Sequence, residues 1–161
     1  GEGPGYYEDR DGHPFVGAAG KVLDEMLSSA GLRRSDVYIT NMVKCRPPGN
    51  RDPLPEELSA CQPYLDRQLE MIAPKVLVTL GRFSFTRFFP GEMISRGRGK
   101  PRTWRHLTIY PTYHPAAALH NPKLRSLIEG DFAKLPILIK SLGQQPVQVV
   151  STPAKQLNLF E

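Results

Sequence analysis

The chain has 161 residues, and at roughly 150 residues per domain it is read as one domain, with a core large enough to fold without disulfides. Its 40% hydrophobic and 23% charged content excludes a wholly disordered chain. No apolar run approaches the ~18 residues of a membrane span, and two cysteines cannot staple a secreted mini-protein. Lys and Arg total 21 against 16 Asp and Glu, so the net charge of +5 permits a nucleic-acid partner without requiring one.

Taken in chain order, residues 1–19 are rich in Gly and polar groups, with Pro4 and Pro14 as breakers, and read as a loop. There is no charged-then-apolar leader at Gly1, and no methionine, so this start is read as a cut or processed end. From Ala19 to Ala30, Val22, Leu23, Met26 and Leu27 fall at helical spacing, and Gly31 stops the helix. Val37-Tyr38-Ile39-Thr40 is short and β-rich and is expected to be a strand. A Pro/Gly-rich loop runs from Cys45 to Pro55. The helix that follows carries Leu58, Cys61, Leu65, Leu69 and Ile72 on one face and ends at Pro74. Val76 to Leu80 is a nearly continuous apolar run, suited to a strand buried on both faces of a parallel sheet. Arg82 to Phe89 suits a short helix, residues 90–103 a basic loop or hairpin, and Leu107 to Tyr110 another strand. His114 to Leu119 reads as a turn, and Pro122 to Leu142 as mostly helix, interrupted near Pro136. Residues 143–161 read as a polar tail.

Strands alternating with helices predict an α/β fold: a three-layer α/β/α sandwich over a mainly parallel sheet. A Gly-rich loop that leads into a helix normally follows a strand in such a fold, so a first core strand is expected upstream of Gly1. Three polar segments, Gly1–Phe15, Thr40–Lys44 and Tyr113–Leu119, then converge at the carboxyl edge of the sheet, where ligands bind. Each has a plain reading by itself. Gly1 to Gly5 is either a phosphate cradle or a turn, without the GxGxxG spacing or a P-loop lysine. Asn41 suits a helix cap, and His114 before Pro115 a turn histidine.

Together they are more specific. Gly1-Glu2-Gly3-Pro4-Gly5 with Glu8-Asp9, then Gly12-His13-Pro14-Phe15-Val16-Gly17, resembles the opening motif of the family 4 uracil-DNA glycosylases. So does Tyr38 to Pro48 with Asn50-Arg51 and Cys61, and so does Tyr113-His114-Pro115 with Leu119 and Asn121-Pro122. Order and spacing match over about residues 1–142, which the resemblance makes the glycosylase domain. It implies hydrolysis of the N-glycosidic bond of uracil in DNA, the first step of base-excision repair, in a prokaryotic cytoplasm. It also implies a 4Fe–4S cluster and no metal activation of water.

The residue types suit that chemistry. An enzyme acting on a base must extrude it and read its edge in a pocket. A side-chain amide at Asn41 offers one donor and one acceptor to O4 and N3–H of uracil, a pattern cytosine reverses. Phe15 is the candidate platform beneath the base. The resemblance puts Glu8 beside C5, against thymine's methyl group, and makes His114 the donor to the charge growing on O2. Family 1 enzymes have an aspartate in the first motif. Gly3 holds that neighbourhood here, and Glu2 is the nearest carboxylate, expected to position water or substrate.

By the resemblance Cys45 and Cys61 are two of four cluster thiolates, the other two belonging to a Cys-x-x-Cys pair upstream; the plain reading is a loop thiol and a core cysteine. Seven basic residues against Glu92 alone lie between Arg82 and Arg105. Arg96, Arg98, Lys100 and Arg102 among them are either a solvated loop or a grip on DNA phosphates. Leu119 is either a wedge for the gap left by the flipped base or ordinary loop packing. In the tail, Gln156-Leu157-Asn158-Leu159-Phe160 resembles the pentapeptide by which bacterial repair proteins bind the sliding clamp, Leu159 and Phe160 being the anchors, unless both pack back on their own domain. A monomer is expected. Two other classes fit parts of the pattern: a non-catalytic iron–sulfur DNA-binding module, which has no need of Asn41 with His114, and a nucleotide-binding enzyme, which wants a basic residue in the first loop beyond Arg10.

Overall fold

The computed structural model describes residues 1–143. Its centre is a three-stranded sheet of β1 (Val76–Leu80), β2 (Arg102–Trp104) and β3 (Leu107–Thr112), in the order β1-β3-β2. β1 runs parallel to β3, with Val76 opposite Thr108 and Leu80 opposite Thr112. β2 returns antiparallel to β3 through a tight turn at Arg105, φ +53°, so the sheet is mixed.

Alternate residues of the strands point to opposite faces, and each face is covered. On one side Val76, Val78, Leu80 and Tyr110 meet Val22, Leu23, Met26 and Leu27 of α2 (Ala18–Ser29) and Ile128 and Phe132 of α6 (Pro122–Phe132). On the other, Leu77, Leu107 and Ile109 meet Leu69 of α3 (Pro55–Ile72), with Phe88 and Phe89 just past α4 (Arg82–Thr86). The layers are those of an α/β sandwich. Burying a Leu or Phe side chain contributes about 1.5–3 kcal/mol, so these two clusters hold the sheet in place. No helix among the described residues is long and apolar enough to cross a membrane.

Several sequence expectations change. The loop of residues 1–19 contains α1 (Tyr6–Asp11), which has no buried residue and so leaves no apolar stripe to read. A capping arrangement forms it instead: the Glu8 carboxylate accepts from Gly5 N–H, and Gly12, φ +72°, closes the end with its N–H on Glu8 O. The segment expected as a loop or hairpin over residues 90–103 contains the helix α5 (Ile94–Gly97) and, from Arg102, enters the β2–β3 hairpin. The last helical stretch is interrupted near Pro136 as expected, breaking at Ala133–Lys134 before α7 (Leu135–Gly143), whose first turn tolerates the proline.

Among the described residues, Val37–Thr40, expected as a strand, finds no strand to pair with. A strand needs neighbouring backbone for its N–H and C=O groups, and an apolar cavity of about 440 Å³ lies between this segment and β1, lined by Val37, Ile39, Val76 and Val78 among others. The pairing happens one step later. Thr40 O accepts from Gly1 N at 2.8 Å and Met42 N donates to Gly1 O at 3.0 Å, as in a parallel pair around Gly1, and Val43 N donates to Glu2 O at 3.0 Å. That short bridge locks the first loop to the second.

Candidate active site

His114 lies two residues past β3, at the carboxyl edge of the sheet. Its backbone is extended, and Gly81 sits behind it at φ +91°, where a Cβ would lie 3.0 Å from His114 Cβ. Ala116 N–H donates to His114 Nδ1 at 3.1 Å. A neutral ring whose Nδ1 accepts carries its proton on Nε2, so the free nitrogen is a donor. Burial pulls the imidazole down from 6.5 to about 4, while Glu8 acts against it. The ring is therefore neutral at physiological pH.

Phe15 stacks against that ring, centroids 5.4 Å apart and planes 25° from parallel. It is buried and holds φ +54°, a left-handed conformation that a bulky residue keeps only when packing over-determines it. Gly20 of α2 allows this, since a Cβ there would overlap the Phe15 carbonyl. Gly1 closes the third side: a Cβ on it would lie 2.5 Å from Asn41 Oδ1 and 2.7 Å from the Phe15 ring. Asn41 is buried, and its Oδ1 has no hydrogen-bond partner among the described residues. A buried amide oxygen without a donor costs about 1–3 kcal/mol, which a donor on a bound ligand would offset.

Lys44 holds the Asn41 loop. Its Nζ donates to Thr40 Oγ1 at 2.9 Å, Asn41 O at 2.8 Å and Gln68 Oε1 of α3 at 2.7 Å. Partial burial pulls this amine down from its usual range.

Glu8 is fixed from three sides. Its Oε1 accepts from Val16 N–H and Gly17 N–H, each at 2.9 Å, and its Oε2 from Gly5 N–H at 3.2 Å. Burial acts to raise this carboxyl, but these backbone donors together outweigh it and hold the group below its usual range. Gly5 and Gly17 make room, because a Cβ on either would press the carboxylate, at 2.9 Å and 3.3 Å. Glu2 is half-buried; desolvation and then Asp52 raise its carboxyl, against Arg82. Gly3 packs on Val43, where a Cβ would lie 2.6 Å from Cγ2, so the aspartate of the family 1 motif has no room in this backbone.

The basic segment divides. Arg96 and Lys100 are exposed. Arg98 is not available to a phosphate as expected: its guanidinium donates to both oxygens of Asp131, at 2.6 and 3.0 Å, and to Leu127 O. Asp131 is fully buried and also accepts from Thr112 Oγ1 at 2.8 Å, so the ion pair ties the loop to α6 beneath the end of β3. Arg98 lies over the Tyr113 ring, 5.5 Å from its centroid, bracing the residue before His114. Arg102 is likewise paired, to Glu92. Leu119 stands 43% exposed at the end of the turn after His114.

Cys45 is exposed and Cys61 half-buried, and Lys44 N–H donates to Cys61 Sγ at 3.3 Å, bringing α3 against the peptide adjoining Cys45. The described residues contain no group of three or more His, Cys, Asp or Glu arranged to hold a metal. Two thiolates are half of a Cys₄ set, so these residues alone do not complete a 4Fe–4S site. Gln156, Leu157, Leu159 and Phe160 lie outside the described residues.

The first loop, Asn41, Phe15 and His114 thus meet in one place, whereas the phosphate grip shrinks and the cluster stays incomplete. Gly20 and Gly81 were given no role from the sequence, and Gly1 and Lys44 entered it only as members of longer segments; only a Gly at a close backbone approach, or a Lys flanked by polar partners, could have signalled their separate roles. An α/β sandwich that gathers a buried amide, an aromatic ring and a neutral imidazole at the carboxyl end of its sheet is an enzyme-type site for a flat heterocycle. The chain belongs to the Uracil DNA glycosylase superfamily, whose family model matches residues 1–135. It is 52% identical to a type-4 uracil-DNA glycosylase of Sulfurisphaera tokodaii over 84% of this chain and 66% of that protein. Type-4 uracil-DNA glycosylases of Archaeoglobus fulgidus and Thermotoga maritima are 54% and 46% identical, over 84% and 89% of this chain and 72% and 77% of theirs. The chain therefore spans about two thirds to three quarters of the length of these relatives.

Proposed function

We propose that this protein is a uracil-DNA glycosylase, an N-glycosyl hydrolase that frees uracil from DNA and leaves an abasic site. The observation that carries the reading is the unpartnered, buried Asn41 Oδ1 beside a neutral His114 whose free nitrogen is a donor. Uracil enters flipped out of the strand. Asn41 Oδ1 accepts from N3–H while its Nδ2 donates to O4, and cytosine offers the reverse pattern at both atoms. Phe15 lies against the base. Glu8, kept ionised and immobile, stands beside C5, where thymine's methyl group would have to desolvate it.

As the glycosidic bond breaks, the electron pair leaves with the base and charge gathers on O2. His114 Nε2–H meets it without giving up a proton, and a donor aimed at charge that exists mainly in the transition state raises rate more than affinity. The sugar is left as a cation, stabilised by the phosphates and by the Glu2 carboxylate, which orients the attacking water; the water oxygen bonds to C1′ and the proton it sheds ends on the uracil anion. Arg96 and Lys100 contact phosphates, and Leu119 fills the gap in the stack. The protein is read as a monomer acting in a prokaryotic cytoplasm. A 4Fe–4S cluster at Cys45 and Cys61 would draw two more thiolates from outside this sequence and order the DNA-facing loop. Cys45→Ala in a longer chain should then lose visible absorbance and bound iron. Gln156 to Phe160 is read as a clamp contact on its sequence alone; a tail peptide should bind a bacterial sliding clamp, and one with Leu159→Ala and Phe160→Ala should not.

The deciding experiment incubates the protein with an oligonucleotide bearing one uracil, then cleaves abasic sites with alkali. Cleavage at uracil, and none at cytosine or thymine in the same position, is expected. An uncut uracil strand under conditions where the protein is folded and binds DNA would refute the reading.

A further inference from the structure

α1 carries Glu8 of the candidate site and buries none of its residues. Tyr6 and Tyr7 are 55% and 53% exposed, a cost in apolar surface that their own fold does not use. The two rings meet edge to face, centroids 5.4 Å apart. Each carries a guanidinium: Arg46 over Tyr6 at 5.3 Å and Arg10 over Tyr7 at 5.5 Å. The cluster also joins the two loops that carry the site. Arg46 comes from the Asn41 loop, and Tyr7 lies with Glu8 around Gly17, where a Cβ would be 3.5 Å from Tyr7 Cδ2.

Rings that are half exposed, held by their neighbours and each overlaid by a guanidinium fit, on their exposed parts, a flat, electron-rich partner on a polyanion. We propose that Tyr6 and Tyr7 form a stacking platform for an unpaired nucleobase of the strand that carries the flipped base, within a few nucleotides of it. Arg10 and Arg46 add attraction for the adjoining phosphates. Stacking recognises every base by its face, so the platform carries no sequence preference and favours a strand whose neighbouring bases are free of their complements. This inference rests on the DNA-glycosylase reading for its register, but its readout does not require excision.

The test measures binding to a single strand bearing 2′-fluoro-deoxyuridine, whose electron-withdrawing fluorine opposes formation of the sugar cation and so keeps the base in place. Abasic analogues replace the natural nucleotides one at a time, at positions one to three on each side. With wild-type protein, one abasic position should weaken binding about 5- to 150-fold, the range measured when a stacked pair loses one member. Tyr6→Ala/Tyr7→Ala should weaken binding to the intact strand by a similar factor and bind the abasic strand no worse than wild type does. Tyr6→Phe/Tyr7→Phe should behave as wild type, because stacking uses the ring and not the hydroxyl. Losses that are the same on intact and abasic strands, or a wild type indifferent to every abasic position, would overturn the platform. Failure of uracil excision with base-dependent binding intact would instead count against the glycosylase reading alone.

Discussion

Replacing His114 by Ala tests the site most directly, because two independent quantities should move. The first is rate. One donor aimed at developing oxyanion charge is worth roughly a hundred- to a thousand-fold. Single-turnover excision by His114→Ala should fall by that factor, with DNA affinity much less affected. The second is pH dependence. A histidine moved from 6.5 to about 4 on folding binds its proton less readily in the native state than in the unfolded chain. Stability is therefore whole above the unfolded value and is lost as pH falls from 6.5 toward 4. At about 1.36 kcal/mol per pH unit, the loss approaches about 3 kcal/mol at the low end. Protonation of Nδ1 would also set two N–H groups against each other at Ala116, so the native ring resists it for a geometric reason as well. Urea unfolding of the wild type at pH 7 and pH 4.5 should show this loss, and His114→Ala should lack most of it. The wild-type excision rate should show no inflection near pH 6.5. Equal losses of rate and DNA affinity, or an inflection near 6.5 that the variant abolishes, would refute the assignment of a neutral donor.

Asn41→Asp places a carboxylate where uracil N3–H and O4 need an acceptor and a donor; single-turnover rates on uracil should fall at least a hundredfold, since a mispaired buried polar group costs about 1–3 kcal/mol and a buried charge more. Arg96→Ala/Lys100→Ala should flatten the slope of log affinity for duplex DNA against log salt by up to about two units, at about 0.9 per phosphate contact, whereas neutralising Arg98 should act on stability instead. Arg98→Met leaves Asp131 charged and buried and should destabilise the fold by about 3–5 kcal/mol in urea melts, with part of the loss recovered when Asp131→Asn is added. Lys44→Met removes three hydrogen bonds to the Asn41 loop and should lower thermal stability and raise KM for uracil DNA together, with Lys44→Arg recovering part of both.

Much of this protein is local and therefore readable from its residues. Val22, Leu23, Met26 and Leu27 repeat at helical spacing because one face of α2 meets the sheet, and the apolar run of Val76 to Leu80 reflects helices on both faces of β1. The order of three polar segments after structured elements already pointed to one edge of the sheet. Pairing is not local. Val37–Thr40 has the composition of a strand, yet backbone partners arise only where other segments lie alongside, and they lie alongside residues 40–43. α1 rests on a carboxylate reaching back to Gly5 rather than on an apolar stripe. Charge ownership is not local either: Arg98 reads as a phosphate contact until Asp131, 33 residues away, takes its guanidinium. The histidine was legible as a donor, but its tautomer and neutrality follow from Ala116 N–H and from burial, and both exist only once the chain has closed around the ring. Residue type and spacing carry what each segment prefers by itself; hydrogen-bond partners, exposure and pKa depend on what the rest of the chain brings against it.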